Sequence, residues 1–422
     1  MRLHPQDQSV LDALSGAAPR IVARTLDWCA VNSGSRNAEG LARQRQLLED
    51  ELAAHAGLAA GRLERAPLSA TPDVRDDGSL GETRYEDALL LTVRPEAPVQ
   101  AVLTGHYDTV YPKESPFQTV RTREDGALWG PGVADMKGGI SVMLAALEAF
   151  EAHPEKDRVG YRVLLSPDEE IGSPGSAPLL QMLGREGHIG LTYEPALADG
   201  TLAGARKGSG NFHILVRGRS AHAGRDFERG RNAVAGAAEI AMALHGLNGE
   251  REGVTVNVAK ISGGGPLNVV PDVAVVRFNV RVPSAPAAEW VRCQIEKIAI
   301  AESLTGPHGL EVSLHGGFTR PPKPMDEAQS ALFDGVRTAA ALIGQEIRWR
   351  DSGGVCEGNN LYAAGLPNVD TLGVRGGDIH SEGEYALPES FLERAQLSAM
   401  ILMKLASGEI DARRLKAMRR VV

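Results

Sequence analysis

The residues of this chain that could do chemistry are two histidines and a set of carboxylates, each placed just after an apolar run or a glycine-rich turn. In Gly105-His106-Tyr107-Asp108 an imidazole and a carboxylate lie two residues apart, so an extended chain points both the same way. A carboxylate beside an imidazole fixes its tautomer and raises its basicity, the support that metal-bound histidines usually have. The apolar run Tyr161–Ser166 leads into Asp168-Glu169-Glu170, and Ile189–Tyr193 ends in Glu194. Three consecutive carboxylates at a strand end are costly unless water or a cation neutralises them. Farther on, Arg375-Gly376-Gly377-Asp378-Ile379-His380 supplies a second histidine with acidic neighbours. The turn Gly130-Pro131-Gly132-Val133-Ala134-Asp135 precedes a helix and could cradle phosphate through its N–H groups. It lacks both the third glycine of a dinucleotide turn and a Gly-Lys-Ser/Thr triplet, and Asp135 stands where the phosphate would sit, which suits a cation instead.

Together His106, His380, Asp135, Glu169, Glu170 and Glu194 are expected on five strand-end loops of one α/β sheet, where ligands bind in such folds. Imidazole and carboxylate without thiolate suit catalytic zinc, with cobalt or manganese as substitutes. Six groups exceed the three protein ligands of one catalytic zinc. They suffice for two ions sharing a bridging carboxylate, with one glutamate left over as base, and the expected reaction is metal-assisted hydrolysis of an amide.

The elements that must position these groups follow from periodicity. Helices are expected over residues 9–30, Ala38–Ala56, Ile140–Phe150, Asp326–Ile343 and Pro388–Leu405, and buried strands over Val99–Leu103, Tyr161–Ser166, Ile189–Tyr193 and Pro367–Val374. Residues 61–98 read poorly, with a hairpin expected to end in Ala88–Val93. Between Gly208 and Gly316 the order is strand Phe212–Val216, helix Asn232–Leu247, strands Val254–Ile261 and Val273–Val282, helix Ala287–Leu304 and strand Leu310–Leu314, a split βαβ unit that interrupts the first sheet. The 422 residues exceed one ordinary domain, and the formal charge of −9 comes with no basic block, which excludes a nucleic-acid grip. Cys29, Cys293 and Cys356 form no Cys-x-x-Cys pair, in keeping with a reducing cytoplasm. Met1–Val10 is too polar for a signal peptide, and no apolar run approaches the ~20 residues of a spanning helix, so neither export nor a membrane is expected.

Gly105-His106-x-Asp108, Gly130-x-Gly132-x-x-Asp135-x-Lys137-Gly138-Gly139, Asp168-Glu169-Glu170-x-Gly172-Ser173, Glu194-Pro195, Ser220-Ala221-His222-Ala223-Gly224 and Gly376-Gly377-x-x-His380 resemble, in order, the signatures of the M20 family of co-catalytic zinc hydrolases. That family includes glutamate carboxypeptidases of the G2 type, acetylornithine deacetylase, succinyl-diaminopimelate desuccinylase and aminoacylase. The resemblance implies a mixed-sheet α/β catalytic domain formed by residues 1–206 and 317–422, with a ferredoxin-like lid and dimerisation domain, 207–316, inserted between. It implies that Asp135 bridges two Zn²⁺, with His106 and Glu194 at one and Glu170 and His380 at the other. Asp108 would support His106, and Glu169 would be the base that takes a proton from the bridging water. A cis peptide is implied at Asp135–Met136. His222 would reach the partner subunit of a homodimer to stabilise the oxyanion, and Asn268 and Arg281 would hold a substrate carboxylate. A guanidinium suits that last task because it grips a carboxylate with two hydrogen bonds.

The implied substrate is a peptide or N-acyl amino acid, handled as by a glutamate carboxypeptidase. The alternatives are an N-acyl amino acid deacylase and a silent binding protein on the same fold. Where carboxypeptidase relatives carry Gly-Gly-Thr-Asp, this chain has Gly354-Val355-Cys356-Glu357, which puts the expected side-chain pocket in question. No base is indicated beside Cys356, which reads as a small buried residue. Arg375 is a further candidate anion-binding group, and no Gly-x-Ser-x-Gly elbow suggests a serine hydrolase.

Overall fold

A computed structural model describes residues 1–301 and 309–419. Its main sheet has six strands in the order Arg62–Ala66, Ala88–Val93, Val159–Ser166, Val99–His106, Ile189–Thr192 and Asn368–Val369. The last four run parallel and the first two antiparallel to their neighbours, so the sheet is mixed. Helices cover both faces, which is why these strands read as continuous apolar runs rather than alternating ones. On one face Lys137–Phe150, buried along nearly its whole length, packs with Glu389–Ser407, Ala18–Cys29 and Pro5–Leu14 in the main core. On the other, Ala177–Glu186 and Glu357–Ala363 close a smaller core around Leu180, Leu183 and Leu361.

A second sheet of five short strands runs in the order Ala196–Leu197, Arg375–Gly377, Tyr385–Ala386, Leu128–Trp129 and Arg121–Thr122. It is too short to show in periodicity, yet it joins the segments that carry Glu194, His380 and Asp135. The expectation of one sheet supplying five loops is corrected accordingly. His106, Glu169, Glu170 and Glu194 follow strands of the main sheet, whereas His380 and Asp135 hang from the second.

Strands Gly208–Arg217, Thr255–Gly263, Val273–Val282 and Glu311–Arg320 form an antiparallel sheet in the spatial order second, third, first, fourth, with helices Ala233–Gly246 and Ala285–Ala299 on one face. Its core is its own, built on Phe212, Ile214, Val276, Phe278, Ile240 and Val291. The end expected for the second helix, residues 302–304, lies outside the described residues. The fourth strand runs six residues beyond the expected Leu314, because its partner Gly208–Arg217 is equally long.

The N-terminal helical stretch is two helices, Pro5–Leu14 and Ala18–Cys29, separated by a tight turn at Ser15–Ala17. A hairpin is present in the poorly read stretch, but it is Thr71–Val74 with Leu80–Thr83; Ala88–Val93 is an interior strand, buried at every position. The hairpin crosses to the inserted sheet. Val74 packs on Leu215 and Val275, Asp76 pairs with Lys260 at 2.6 Å and Arg277 at 2.8 Å, and Arg277 also donates to the Val74 carbonyl. Among the described residues, no helix is long and apolar enough to cross a membrane.

Behind the main sheet's last strand, Arg206 donates to Asp370 from Nε at 2.7 Å and Nη2 at 3.1 Å, and Lys323 Nζ reaches the same carboxylate at 2.6 Å. All three are buried. Burial pushes the Asp370 carboxyl up, but Arg206 and Lys323 outweigh it and hold the group below the usual carboxylate range. Asp370→Ala would strand two buried cations and should lower unfolding free energy by about 3–5 kcal/mol, read as a drop in the urea midpoint. Because the folded-state pKa is depressed, this contribution is complete above about pH 4 and declines as pH falls through the depressed value, a slope the variant should lack.

Candidate metal centre

His106 ends its strand opposite Ser166, and Thr104 pairs in register with Thr192. Three neighbouring parallel strands therefore stop together, and the residues just past their ends, Glu169, Glu170 and Glu194, converge on His106. The helix Lys137–Phe150 brings Asp135 from its N-terminal turn, through a cis peptide at Asp135–Met136 as expected. Gly139 permits the approach: a Cβ there would lie 2.0 Å from the Tyr193 carbonyl oxygen, beside Glu194. His380 arrives on the loop between Arg375–Gly377 and Tyr385–Ala386 with a left-handed φ of 63°, a conformation uncommon for non-glycine residues though histidine is among those enriched in it.

Asp135 lies between two groups of side chains. Its Oδ1 is 3.2 Å from His106 Nε2, which is 3.8 Å from Glu194 Oε1. Its Oδ2 is 3.2 Å from His380 Nε2, which is 3.1 Å from Glu170 Oε2. Each trio offers ligand atoms that all fall within 4.8 Å of one another, and Asp135 belongs to both. A third acidic and histidine trio, Glu51, His55 and Glu148, already surrounds a cation: Arg24 Nη1 lies 2.7 Å from Glu51 and 2.9 Å from Glu148.

Asp108 is fully buried and does two jobs. Its carboxylate lies 3.3 Å from His106 Nδ1 and its carbonyl oxygen 3.1 Å, and its two carboxylate oxygens accept the backbone N–H groups of Glu169 and Glu170 at 3.2 Å. Asp168, in contrast, turns away to accept from Gly175 and Ser176, so only two of the three consecutive carboxylates face the centre. Glu169 Oε1 pairs with Arg320 Nη2 at 2.6 Å, and its Oε2 is 3.9 Å from His106 Nε2.

The crowding has an electrostatic signature. Burial, then Asp135, pushes Glu170 up to about 8; burial, Glu169 and Asp135 raise Glu194 far above the carboxylate range; and contacts with Asp135 and Glu170 push His380 up to about 11. Each of these shifts favours the protonated form, the direction expected where buried carboxylates crowd together. A divalent ion would offset the same charge, and the buried Glu194 Oε1, which has no hydrogen-bond donor among the described residues, is available to one. The donor set of nitrogen and oxygen atoms thus fits a pair of divalent ions.

A cavity of about 660 Å³ opens on the centre, lined by Glu169, Glu170, Glu194, Arg281, Arg320 and His380 among others. Arg281 faces it with Nη1 buried and without an acceptor among the described residues. His222 and Asn268 do not line it. They are exposed and adjacent to each other, since Ala223 N–H donates to the Asn268 carbonyl at 2.9 Å. Gly354 and Val355 form part of the wall, but Cys356 and Glu357 point inward. Burial pushes the Cys356 thiol far up, so it is no nucleophile, and Glu357 accepts from Ser166 Oγ at 2.5 Å with its carboxyl pushed by burial up to about 8. Arg375 is no anion site: its guanidinium is taken by Glu393 at 2.8 Å and by the Ala198 carbonyl.

Two neighbours of the centre escaped the sequence reading. Arg320 looked like any arginine at a strand end. Glu384 was visible only as one more acidic residue after His380, yet it is fully buried and accepts from the N–H groups of Gly132, Ala134 and Asp135 and from Tyr111 Oη. It thereby fastens the His380 loop to the Asp135 turn.

Known proteins resemble this chain over most of its length. Carboxypeptidase G2 of Pseudomonas sp. (strain RS-16) is 25% identical over 414 residues, covering 96% of this chain and 94% of that protein. Succinyl-diaminopimelate desuccinylase of Halorhodospira halophila is 30% identical over 301 residues, covering 67% and 76%. A dipeptidase of Saccharomyces cerevisiae superposes with a TM-score of 0.71 at 14% identity, over 95% of this chain and 98% of that one. The family model of peptidase family M20/M25/M40 matches residues 102–404, a span that holds both trios around Asp135, and the chain belongs to that family of hydrolases.

Proposed function

We propose that this hydrolase is a two-metal amidohydrolase that cleaves a peptide or N-acyl amino acid bearing a carboxylate on the leaving-amine side, most like a glutamate carboxypeptidase. The observation that carries the reading is the Asp135 carboxylate, one oxygen toward His106 and the other toward His380. His106, Asp135 and Glu194 would hold one ion and Asp135, Glu170 and His380 the other, with zinc the expected metal and cobalt or manganese workable substitutes. When bound, such a pair polarises the scissile carbonyl and acidifies the attacking water. Glu169, within reach of the centre and not needed as a ligand, takes the proton from that water and passes it to the leaving nitrogen. Asp108 keeps His106 in one tautomer and holds the Glu169–Glu170 turn through two backbone N–H groups.

Arg281 offers its unpartnered Nη1 to the substrate carboxylate. In this reading residues 207–316 are a lid and dimerisation domain between the two parts of a catalytic domain, 1–206 and 317–422. His222 and Asn268, exposed and outside the cavity, would then complete the site of a second copy. The desuccinylase relatives, up to 30% identical, favour N-acyl amino acid deacylation as the second reading. A kinetic panel of dipeptides and of N-acetyl and N-succinyl amino acids separates the two.

Dialysis against a chelator followed by Zn²⁺ or Co²⁺ titration should return two equivalents per chain and raise the melting temperature, as binding to the folded state alone requires. A single equivalent would remove the bridged pair. Glu169→Gln should retain both metals while turnover falls ~10²–10⁴-fold; undiminished turnover would remove the base assignment. His222→Ala should lose activity with metal content intact. Mixing it with Glu169→Gln should recover activity through hybrid dimers, and no recovery would count against a shared site.

A further inference from the structure

Arg320 is the last residue of the strand Glu311–Arg320 and is almost wholly buried. Its guanidinium is committed to the protein. Nη2 lies 2.6 Å from Glu169 Oε1, donates to the Glu169 carbonyl at 2.6 Å and to Ser173 Oγ at 2.9 Å, and Nη1 reaches the Val355 carbonyl at 3.4 Å. One guanidinium nitrogen therefore touches both ends of the same glutamate, its backbone oxygen and one carboxylate oxygen. With the Glu169 N–H already donating to Asp108, the residue is held at three points, and its remaining free atom, Oε2, faces the side on which His106 lies at 3.9 Å.

Arg281 comes from the same row of the inserted sheet. Ser209 is the register partner of Arg281 on one neighbouring strand and of Arg320 on the other, so the three residues lie abreast. The two arginines nonetheless differ in what they have left to offer. Among the described residues, Arg281 keeps a buried Nη1 with no acceptor, whereas both terminal nitrogens of Arg320 are occupied and its Nε alone has no partner.

We infer that Arg320 is a positioning residue for the base: it fixes the Glu169 side chain so that Oε2 alone faces the centre, and, as the end of a strand of the inserted sheet, it makes the geometry of the base depend on where that sheet lies. This rests on the reading of Glu169 as the base. Carboxylate recognition is then the task of Arg281, and Arg320 acts through Glu169 without touching substrate. The fork adds a second anchor: while Nη2 holds Glu169, Nη1 reaches the Val355 carbonyl, which a single ammonium nitrogen cannot do in the same fixed plane.

The test uses full-length, metal-loaded Arg320→Ala and Arg320→Lys with the best substrate of the dipeptide and N-acyl panel. Turnover should fall by ~10²-fold in the alanine variant, the usual effect of a slightly misplaced catalytic group, with KM within about threefold of wild type and two metal equivalents still bound. Added guanidinium should restore part of the lost kcat to Arg320→Ala, which a merely structural defect would not allow. If the alanine variant does not fold, the lysine variant carries the test, with lowered kcat and unchanged KM expected. A rise in KM of tenfold or more at unchanged kcat would make Arg320 a substrate ligand and overturn the inference, as would wild-type kinetics. Wild-type kinetics in Arg320→Ala beside an inactive Glu169→Gln would refute the positioning role alone; full activity in both would refute the base itself.

Discussion

Five carboxylates, those of Asp108, Asp135, Glu169, Glu170 and Glu194, share one buried region, and their mutual repulsion is the constraint around which the rest of the molecule is arranged. Buried like charges can persist only where each finds a compensating partner. Asp108 has His106 and two backbone N–H groups, Glu169 has Arg320, and Asp135 has an imidazole on either oxygen. Glu170 shares His380 with Asp135, and Glu194 Oε1 has no hydrogen-bond donor among the described residues; both carboxyls stand well above the usual carboxylate range. That residual is the part of the charge a pair of divalent ions would offset, and among the described residues no arginine or lysine forms an ion pair with either group.

Holding such a cluster requires stiff supports on several sides. The main sheet fixes the spacing of His106, Glu169, Glu170 and Glu194 through the common register of three parallel strands. The second sheet, though built of strands of two or three residues, places His380 and Asp135. Its shortness is made good by Glu384, which crosses from one loop to the turn of the other and collects three backbone N–H groups and a tyrosine hydroxyl. Backbone N–H groups gathered on a carboxylate are strong, charge-assisted contacts, and they explain how an irregular turn can hold Asp135 in place.

The parts of this that are legible in sequence are those written in local pattern. Apolar runs ending in His106, Glu169 and Glu194 mark strand ends because fully buried parallel strands leave an uninterrupted hydrophobic trace. The inserted unit was readable for a similar reason, since its helices and strands are long. The second sheet was not, because two-residue strands have no period, and the hairpin Thr71–Thr83 was displaced onto Ala88–Val93 because burial on both faces erased the alternation that distinguishes a hairpin arm from an interior strand. Arg320, Arg375 and Glu384 could not be sorted by type. An arginine after a strand is the same letter whether it grips Glu169 or Glu393, and only pairing across 151 or 18 positions of chain decides which.

The inserted sheet is gripped at both ends of one face, and this bears on how the centre is assembled. Along Val273–Val282 alternate side chains share a face, so Val275, Arg277 and Arg281 all point the same way. The hairpin holds Val275 and Arg277, while Arg281 four residues on faces the cavity, about 13 Å farther at the rise of an extended strand. At the cavity end the adjacent Arg320 is tied to Glu169. A rotation of the sheet about the hairpin would therefore move both arginines relative to the two trios around Asp135, since a stiff sheet transmits a small angle over its full length. With Val74 buried against Leu215 and Val275 and Asp76 paired to Lys260 and Arg277, the hairpin is seated at one end of that face, while Arg281 and Arg320 stand at the cavity end.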